Sequence, residues 1–210
     1  LAAGRLLAEG FIRGREDLLQ LTIDDAPAGT IMRAQLPEAL AAAAFARLER
    51  LPADDAPPGG PQPTTAGHPR PDRVRAPVPP LSAFAPLFRQ LFASAEQYEQ
   101  SGGLHSAALC DGARLLHTVE EVGRHNAVDK AIGLGLLAGD DLSRLGLLLS
   151  ARVSGAMAAK AARAGLAWVA SRSVPTTMAV AVAETSGLPI VARAAGKEPY
   201  VYAAGDGGDA

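Results

Sequence analysis

Residues 145–171 read LGLLLSARVSGAMAAKAARAGLAWVAS. Apolar residues at consecutive positions in a short run imply a strand covered on both faces, as happens when helices flank a largely parallel sheet. The spacing therefore predicts a strand over 145–150, a helix over 154–164 and a strand over 166–171. The alternation continues in both directions. Downstream come a helix over 176–185, a strand over 188–193 and an edge strand over 200–203. Upstream come a helix over 127–138 and two short strands over 104–110 and 114–119, joined by Asp111-Gly112, a strong hairpin signal. Before them Ser82 is placed to cap a helix carrying Phe84, Leu87, Phe88, Leu91 and Phe92 at helical spacing. The order predicts an α/β fold, a three-layer sandwich, for residues 81–203.

Outside this block the pattern is weaker. Residues 1–51 read as a small α+β domain that is incomplete: a helix over 1–9, strands over 17–23 and 30–35, and an alanine-rich helix over 37–51. Residues 52–80 hold ten prolines and three glycines with no Phe, Tyr or Trp. Such a segment has little to bury, and it is expected to be a flexible linker. Residues 204–210 are expected to be a disordered acidic tail. The chain begins at Leu1 inside an expected helix, so it is read as a fragment or a misplaced start.

Composition narrows the function. A net charge of −2 gives no bulk attraction to nucleic acid or to an acidic membrane, so any bound anion must be held by a local cluster. The single cysteine, Cys110, excludes an intrachain disulfide and a multi-cysteine metal site, and no tightly held metal ion is expected. No apolar run reaches membrane-spanning length. A reducing compartment follows as an expectation, with no nucleic acid and no membrane as partner.

Polar groups concentrate in 101–133. Gly102, Gly103 and His105 precede Gly123, Arg124, His125 and Asn126, and then come Asp129 and Lys130. Asn126 is a suitable cap for the helix over 127–138, which puts Arg124 and His125 at a helix mouth whose free N–H groups attract anions. His125 with Asp129, and Asn126 with Lys130, are four apart and share a helical face. The plainer reading pairs Arg124 and Lys130 with Glu121 and Asp129 on a solvated surface. In an open α/β sheet, ligands lie beyond the carboxyl ends of the strands. The loops over 120–126, 150–154 and 171–177 meet that condition and add Arg152, Arg172, Ser154 and Thr176. Arginine forks beside free backbone N–H groups suit a pyrophosphate. Cys110 is read as a small apolar filler of its strand, with His117 on the partner strand as a group able to lower its pKa if the two register.

These motifs resemble the formate dehydrogenase accessory sulfurtransferases, the FdhD family. The family reads Thr-Gly-Gly-x-His where this chain has Ser101-Gly-Gly-Leu-His105. It reads Glu-Asp-Val-Gly-Arg-His-Asn-Ala-x-Asp-Lys-x-Ile-Gly against residues 120–133. Ser150-Ala-Arg-Val-Ser154, Ser171-Arg-Ser-Val-Pro-Thr-Thr177 and the opening residues 1–12 are similar as well. Ala151, Gly155 and Ala156 depart from the family pattern around the second loop.

The order of elements is similar to the cytidine-deaminase-like fold, which is the expectation for the C-terminal domain. The resemblance implies a cytoplasmic sulfur carrier that takes persulfide sulfur from a cysteine desulfurase and delivers it to the molybdenum or tungsten cofactor of formate dehydrogenase, and that binds the guanine dinucleotide form of the molybdenum cofactor as cargo. Gly102, Gly103, His105, Gly123, Arg124, His125, Asn126, Asp129, Lys130, Arg152, Ser154 and Thr176 are the binding residues it implies, and a homodimer is expected. The family's Cys-x-x-Cys is absent from this chain. A second reading is therefore a cysteine-independent cofactor chaperone. Zinc deamination, the third, lacks its ligands here.

Overall fold

The structure, a computed structural model, describes residues 1–27, 29–48, 74–94 and 103–202. Most of the linker expected over 52–80, the tail over 204–210 and Gly102 lie outside the described residues. The chain opens with α1 (Ala2–Ala8), a hairpin of β1 (Gln20–Ala26) and β2 (Gly29–Gln35), and α2 (Glu38–Leu48). It continues with α3 (Phe84–Ala93), β3 (His105–Cys110), β4 (Leu115–Glu121), α4 (Arg124–Ala138) and β5 (Gly146–Leu149). Last come α5 (Gly155–Ala164), β6 (Trp168–Ser171), α6 (Thr177–Ser186), β7 (Ile190–Ala192) and β8 (Tyr200–Tyr202).

Six strands form one mixed sheet in the order β4-β3-β5-β6-β7-β8. Strands β5, β6 and β7 are parallel, while β3 runs antiparallel to both β4 and β5, and β8 runs antiparallel to β7. Both faces are covered, as the continuous apolar runs required. On one face Val128 and Ile132 of α4, Met157 and Ala161 of α5 and Ala183 of α6 pack with Leu147, Leu149 and Val169. On the other, Phe84, Leu87, Phe88 and Leu91 of α3 pack with Ala108, Cys110, Leu148 and Trp168. Phe84 meets Trp168 edge to face with centroids 5.3 Å apart. Gly146, the glycine inside the apolar run, is paired with Trp168, and a Cβ there would stand 2.3 Å from the indole.

Three local expectations are corrected. Ser82 does not cap α3: residues 81–83 form a 3-10 turn that leads straight into the helix, with no side-chain cap. Helix α4 begins at Arg124 with Gly123 as its N-cap, so Asn126 lies within the first turn rather than before it. In the β3–β4 hairpin Cys110 stands opposite Leu115, while His117 stands opposite Leu109 and bonds Asp140 at 2.6 Å, so His117 does not tune the thiol.

The N-terminal residues divide in two. Helix α1 joins the main core: Ala3, Leu7 and Ala8, with Ile12 and Leu18 beyond it, are buried in the same cluster as α4 and α5. The approach is backbone to backbone, since a Cβ on Gly4 would lie 1.7 Å from the Asp129 carbonyl oxygen. The β1–β2 hairpin forms its own two-stranded sheet, with β2 exposed along its length. Residues 74–80, expected as the end of a free linker, are docked. The Ala76 N–H donates to the Ser143 carbonyl at 2.9 Å, and Arg75 donates to the carbonyls of Ser186 and Gly187 at 2.9 and 2.6 Å.

Candidate functional site

The carboxyl ends of β5, β6 and β7 are knitted together by short bonds between loops. Ser171 Oγ donates to the Ala151 carbonyl at 2.7 Å and accepts from the Ser173 N–H at 2.9 Å. The Thr176 N–H donates to the Val153 carbonyl at 2.9 Å, beside an isolated bridge between Val153 and Pro175. On the other side Ser150 Oγ accepts the Ser106 N–H at 2.9 Å, tying the loop after β5 to β3. The Ser106 hydroxyl itself is buried with no hydrogen-bond partner. These serines were not foreseen as structural, because the bonds from Ser171 Oγ to Ala151 and from Ser106 N–H to Ser150 Oγ join residues 20 and 44 apart in sequence.

Three helices start on this platform. Ser154 caps α5 by accepting from the Met157 N–H at 3.4 Å, and Thr176 caps α6 by accepting from the Ala179 N–H at 3.2 Å. Helix α4 has no side-chain cap, and its first internal bond runs from the Ala127 N–H to the Gly123 carbonyl. The N–H groups of Arg124, His125 and Asn126 are thus outside the helical ladder, where a helix carries partial positive charge. Asn126 folds back towards Gly123: a Cβ on that glycine would lie 3.3 Å from the Asn126 amide nitrogen.

His125 joins two of the helix starts through Nε2, 3.1 Å from Ser154 Oγ. Burial pushes the imidazole below its ordinary pKa, and the charges of Arg124 and Lys160 add to that shift. His105 sits at the head of β3, half-buried and paired in register with Glu121, and Gly103 is exposed just before it. The guanidinium groups of Arg124, Arg152 and Arg172 have no ion-pair or hydrogen-bond partner among the described residues. Arg172 rests on the ring of Phe92, 5.3 Å from its centroid. Arg152 and Arg172 are exposed, and Arg124 is half-buried.

Two expected site residues are engaged elsewhere. Lys130 pairs with Glu121, and that bond holds the Glu121 carboxyl below its usual range, so the solvated-pair reading describes Lys130. Asp129 is fully buried and takes both oxygens to Lys160 Nζ, at 2.7 and 2.6 Å. Burial pushes its carboxyl upward, and the Lys160 ammonium works against that shift. Glu9 at the end of α1 stands 3.5 Å from the same ammonium and 4.0 Å from Arg163. Lys160 was not anticipated, although a lysine in the middle of an alanine-rich helix was a readable signal.

One backbone position is unusual. Arg193, at the end of β7, has φ 51°, a left-handed conformation otherwise taken only by glycines among the described residues. A recess of about 380 Å3 opens at the opposite end of the sheet, lined by Arg13, Glu16, Asp140 and Ser143 among others, and none of the expected site residues line it. No group of three or more potential metal ligands occurs among the described residues. No described helix is long and apolar enough to cross a membrane.

This framework can be set beside known proteins. A sulfur carrier protein FdhD of Streptomyces coelicolor is 41% identical over 145 residues, which is 68% of this chain and 51% of that one. The protein of the same name from Burkholderia mallei is 40% identical over 121 residues, covering 56% of this chain and 44% of its own. The chain thus spans about half the length of the curated relatives it matches. A solved structure from Desulfotalea psychrophila, described as a formate dehydrogenase accessory protein, superposes with a TM-score of 0.70. It covers 95% of this chain and 74% of its own at 24% identity, which speaks to the fold alone. The FdhD/NarQ family model matches residues 1–207, essentially the whole chain, and to that family the chain belongs.

Proposed function

We propose that this chain acts in formate dehydrogenase maturation by binding the guanine nucleotide end of the molybdenum cofactor at the carboxyl ends of β5, β6 and β7. The observation that carries the reading is the set of three guanidinium groups, Arg124, Arg152 and Arg172, with no ion-pair or hydrogen-bond partner among the described residues, held where three helices begin. Unpaired arginine on a bonded backbone suits a diphosphate, because the fork donates two hydrogen bonds and little order has to be bought on binding. Gly103, His105, Gly123, His125, Asn126, Ser154 and Thr176 line the surrounding loops and cap the helices. In this reading Asp129 and Lys130 act behind the site through Lys160 and Glu121.

The strand order supports a three-layer, cytidine-deaminase-like sandwich for the main domain. The partners in this reading are a cysteine desulfurase as sulfur source and formate dehydrogenase as destination, with a homodimer working in the cytoplasm. Calorimetric titration of the whole chain with GDP and ATP tests it. GDP is expected to bind more tightly than ATP, and Arg124→Ala to remove detectable binding without unfolding the protein. Equal affinities, or no binding of either, would sink the reading.

A specific observation favours a cofactor chaperone that does not itself carry sulfur. Cys110 is fully buried beneath α3, and burial pushes its thiol up to about 12. A thiol that stays protonated and shielded is a poor nucleophile towards a persulfide. Mass spectrometry after incubation with a desulfurase and cysteine should find no added sulfur on Cys110. A stoichiometric persulfide there would return the sulfur-carrier role to this chain.

A further inference from the structure

We infer that His125 and Ser154 form a proton-coupled latch: when a phosphate group docks between the starts of α4 and α5, the imidazole takes up a proton and the Ser154 hydroxyl turns its hydrogen from His125 to the ligand. The inference rests on the nucleotide reading above and concerns how that site responds to a bound anion. Ser154 Oγ caps α5 by accepting from the Met157 N–H at 3.4 Å, and His125 Nε2 lies 3.1 Å from the same oxygen. A hydroxyl has one hydrogen to donate and two acceptor positions, and an imidazole nitrogen is either a donor or an acceptor. The bond between them therefore runs one way at a time. With Nε2 bare, Ser154 donates to it and its only hydrogen is held inside the protein. With Nε2 protonated, the imidazole donates, Ser154 Oγ accepts twice, and the hydroxyl hydrogen is released to a third group.

The surrounding charge decides which way the bond runs. Without a ligand the neutral ring is favoured, because burial and the charges of Arg124 on α4 and Lys160 on α5 act against the imidazolium. Asp129 and Glu9 pull the other way, but both face the Lys160 ammonium, at 2.6 and 3.5 Å. An anion at the helix starts reverses the balance. The N–H groups of Arg124, His125 and Asn126 lie outside the ladder of α4, as do those of Gly155 and Ala156 at the start of α5, where the Met157 N–H is taken by the cap. A phosphate drawn to these N–H groups brings negative charge beside the ring and favours its protonated form, with the proton supplied by solvent. The released hydroxyl then donates to a phosphate oxygen from the atom that caps α5. His125 acts as a positioning residue in this scheme, through Ser154. Because the complex holds one more proton than the separated partners, GDP affinity should rise as pH falls through the ring's value in the complex, and stop rising below its lowered value in the free chain.

Calorimetric titration of the whole chain with GDP, repeated at about pH 7.5 in buffers of different ionisation enthalpy, counts the protons taken up on binding. The terminal phosphate, with a second pKa of about 6, is then largely ionised and adds little to the count. The unaltered chain should take up a fraction of a proton. His125→Gln, whose amide can donate to Ser154 Oγ but cannot titrate, should bind GDP with no uptake. If that variant fails to fold or to bind, the imidazole resonances of the unaltered chain decide: the titration midpoint of His125 should move upward when GDP is added. Binding without uptake in any buffer, or a midpoint that GDP leaves unmoved, would overturn the inference and leave the nucleotide reading standing. Uptake that persists in His125→Gln would put the proton on another group and overturn the inference as well. Absence of binding by the unaltered chain would overturn the reading and the inference together.

Discussion

Helix α4 treats two of its charges in opposite ways. Arg124, at the first residue, has no partner among the described residues, whereas Asp129, five residues on, is fully buried and doubly bonded to Lys160. The same contrast separates two regions. Where α1, α4 and α5 meet, the charges of Glu9, Asp129, Lys160 and Arg163 satisfy one another. At the carboxyl ends of the strands, Arg124, Arg152 and Arg172 have no ion-pair or hydrogen-bond partner among the described residues, on a backbone fixed by other groups. Paired, buried charge belongs to the architecture, because losing one partner strands the other in a medium that does not solvate it. Unpaired charge on a rigid frame is available to a ligand.

The largest effect should come from breaking the paired region. Lys160→Ala leaves Asp129 buried without its counter-ion and should cost about 3–5 kcal/mol in chemical denaturation. Asp129→Asn combined with Lys160→Met should cost less than the two single changes added together, since neither charge is then stranded. Additive losses would show that the pair is not coupled, and would blur the contrast between the regions.

A smaller but sharper test concerns Cys110. With its thiol pushed up to about 12 by burial, it should resist alkylating reagents at pH 8 in the native protein and react only as the chain unfolds. Rapid labelling with the melting curve unchanged would mean that the face under α3 opens locally, and Cys110 would then have to be counted with the accessible groups.

The smallest effect belongs to Lys130 and Glu121, a pair at the edge of both regions. Its depressed folded-state pKa means that Glu121 contributes stability that is present above the unfolded carboxyl value and is lost as pH falls through the folded value. The pair is partly exposed, so the contribution is small, below about 1 kcal/mol. Carboxyl titration by NMR should find Glu121 below the ordinary glutamate range, moving back up in Lys130→Met. No movement would remove Lys130 from the paired set.

How much of this was legible follows the range of each interaction. The strands and helices from β3 onward could be read because continuous apolar runs, helical spacing and Asp111-Gly112 are local signals. The start of α4 misled, because Asn126 is a capping residue type and Gly123, which does the capping, bonds nothing through a side chain. Residues 74–80 read as free linker from their prolines, yet Arg75 is held by carbonyls more than a hundred residues away. Asp129 reads as a site residue until Lys160, 31 positions on, is found against it. Arg193 gave no signal, since its conformation is set by bonds to Ser171 and Ser173 rather than by its own residue type. The arginines at the strand ends were found because a rule about α/β sheets says where to look, and the family motif fell in the same place.

The central claim is that the unpaired arginines serve binding and not stability, and one variant measured in two ways tests it most directly. Arg124→Ala, Arg152→Ala and Arg172→Ala combined in the whole chain should unfold within about 1.5 kcal/mol of the unaltered protein, since none of the three is fully buried or holds an ion-pair or hydrogen-bond partner among the described residues, and changes at such positions usually cost about 0.5 kcal/mol each. In the same preparation, calorimetric titration should detect no GDP binding. A triple variant that binds GDP as the unaltered chain does, or one that loses stability on the scale expected for Lys160→Ala, would contradict the account.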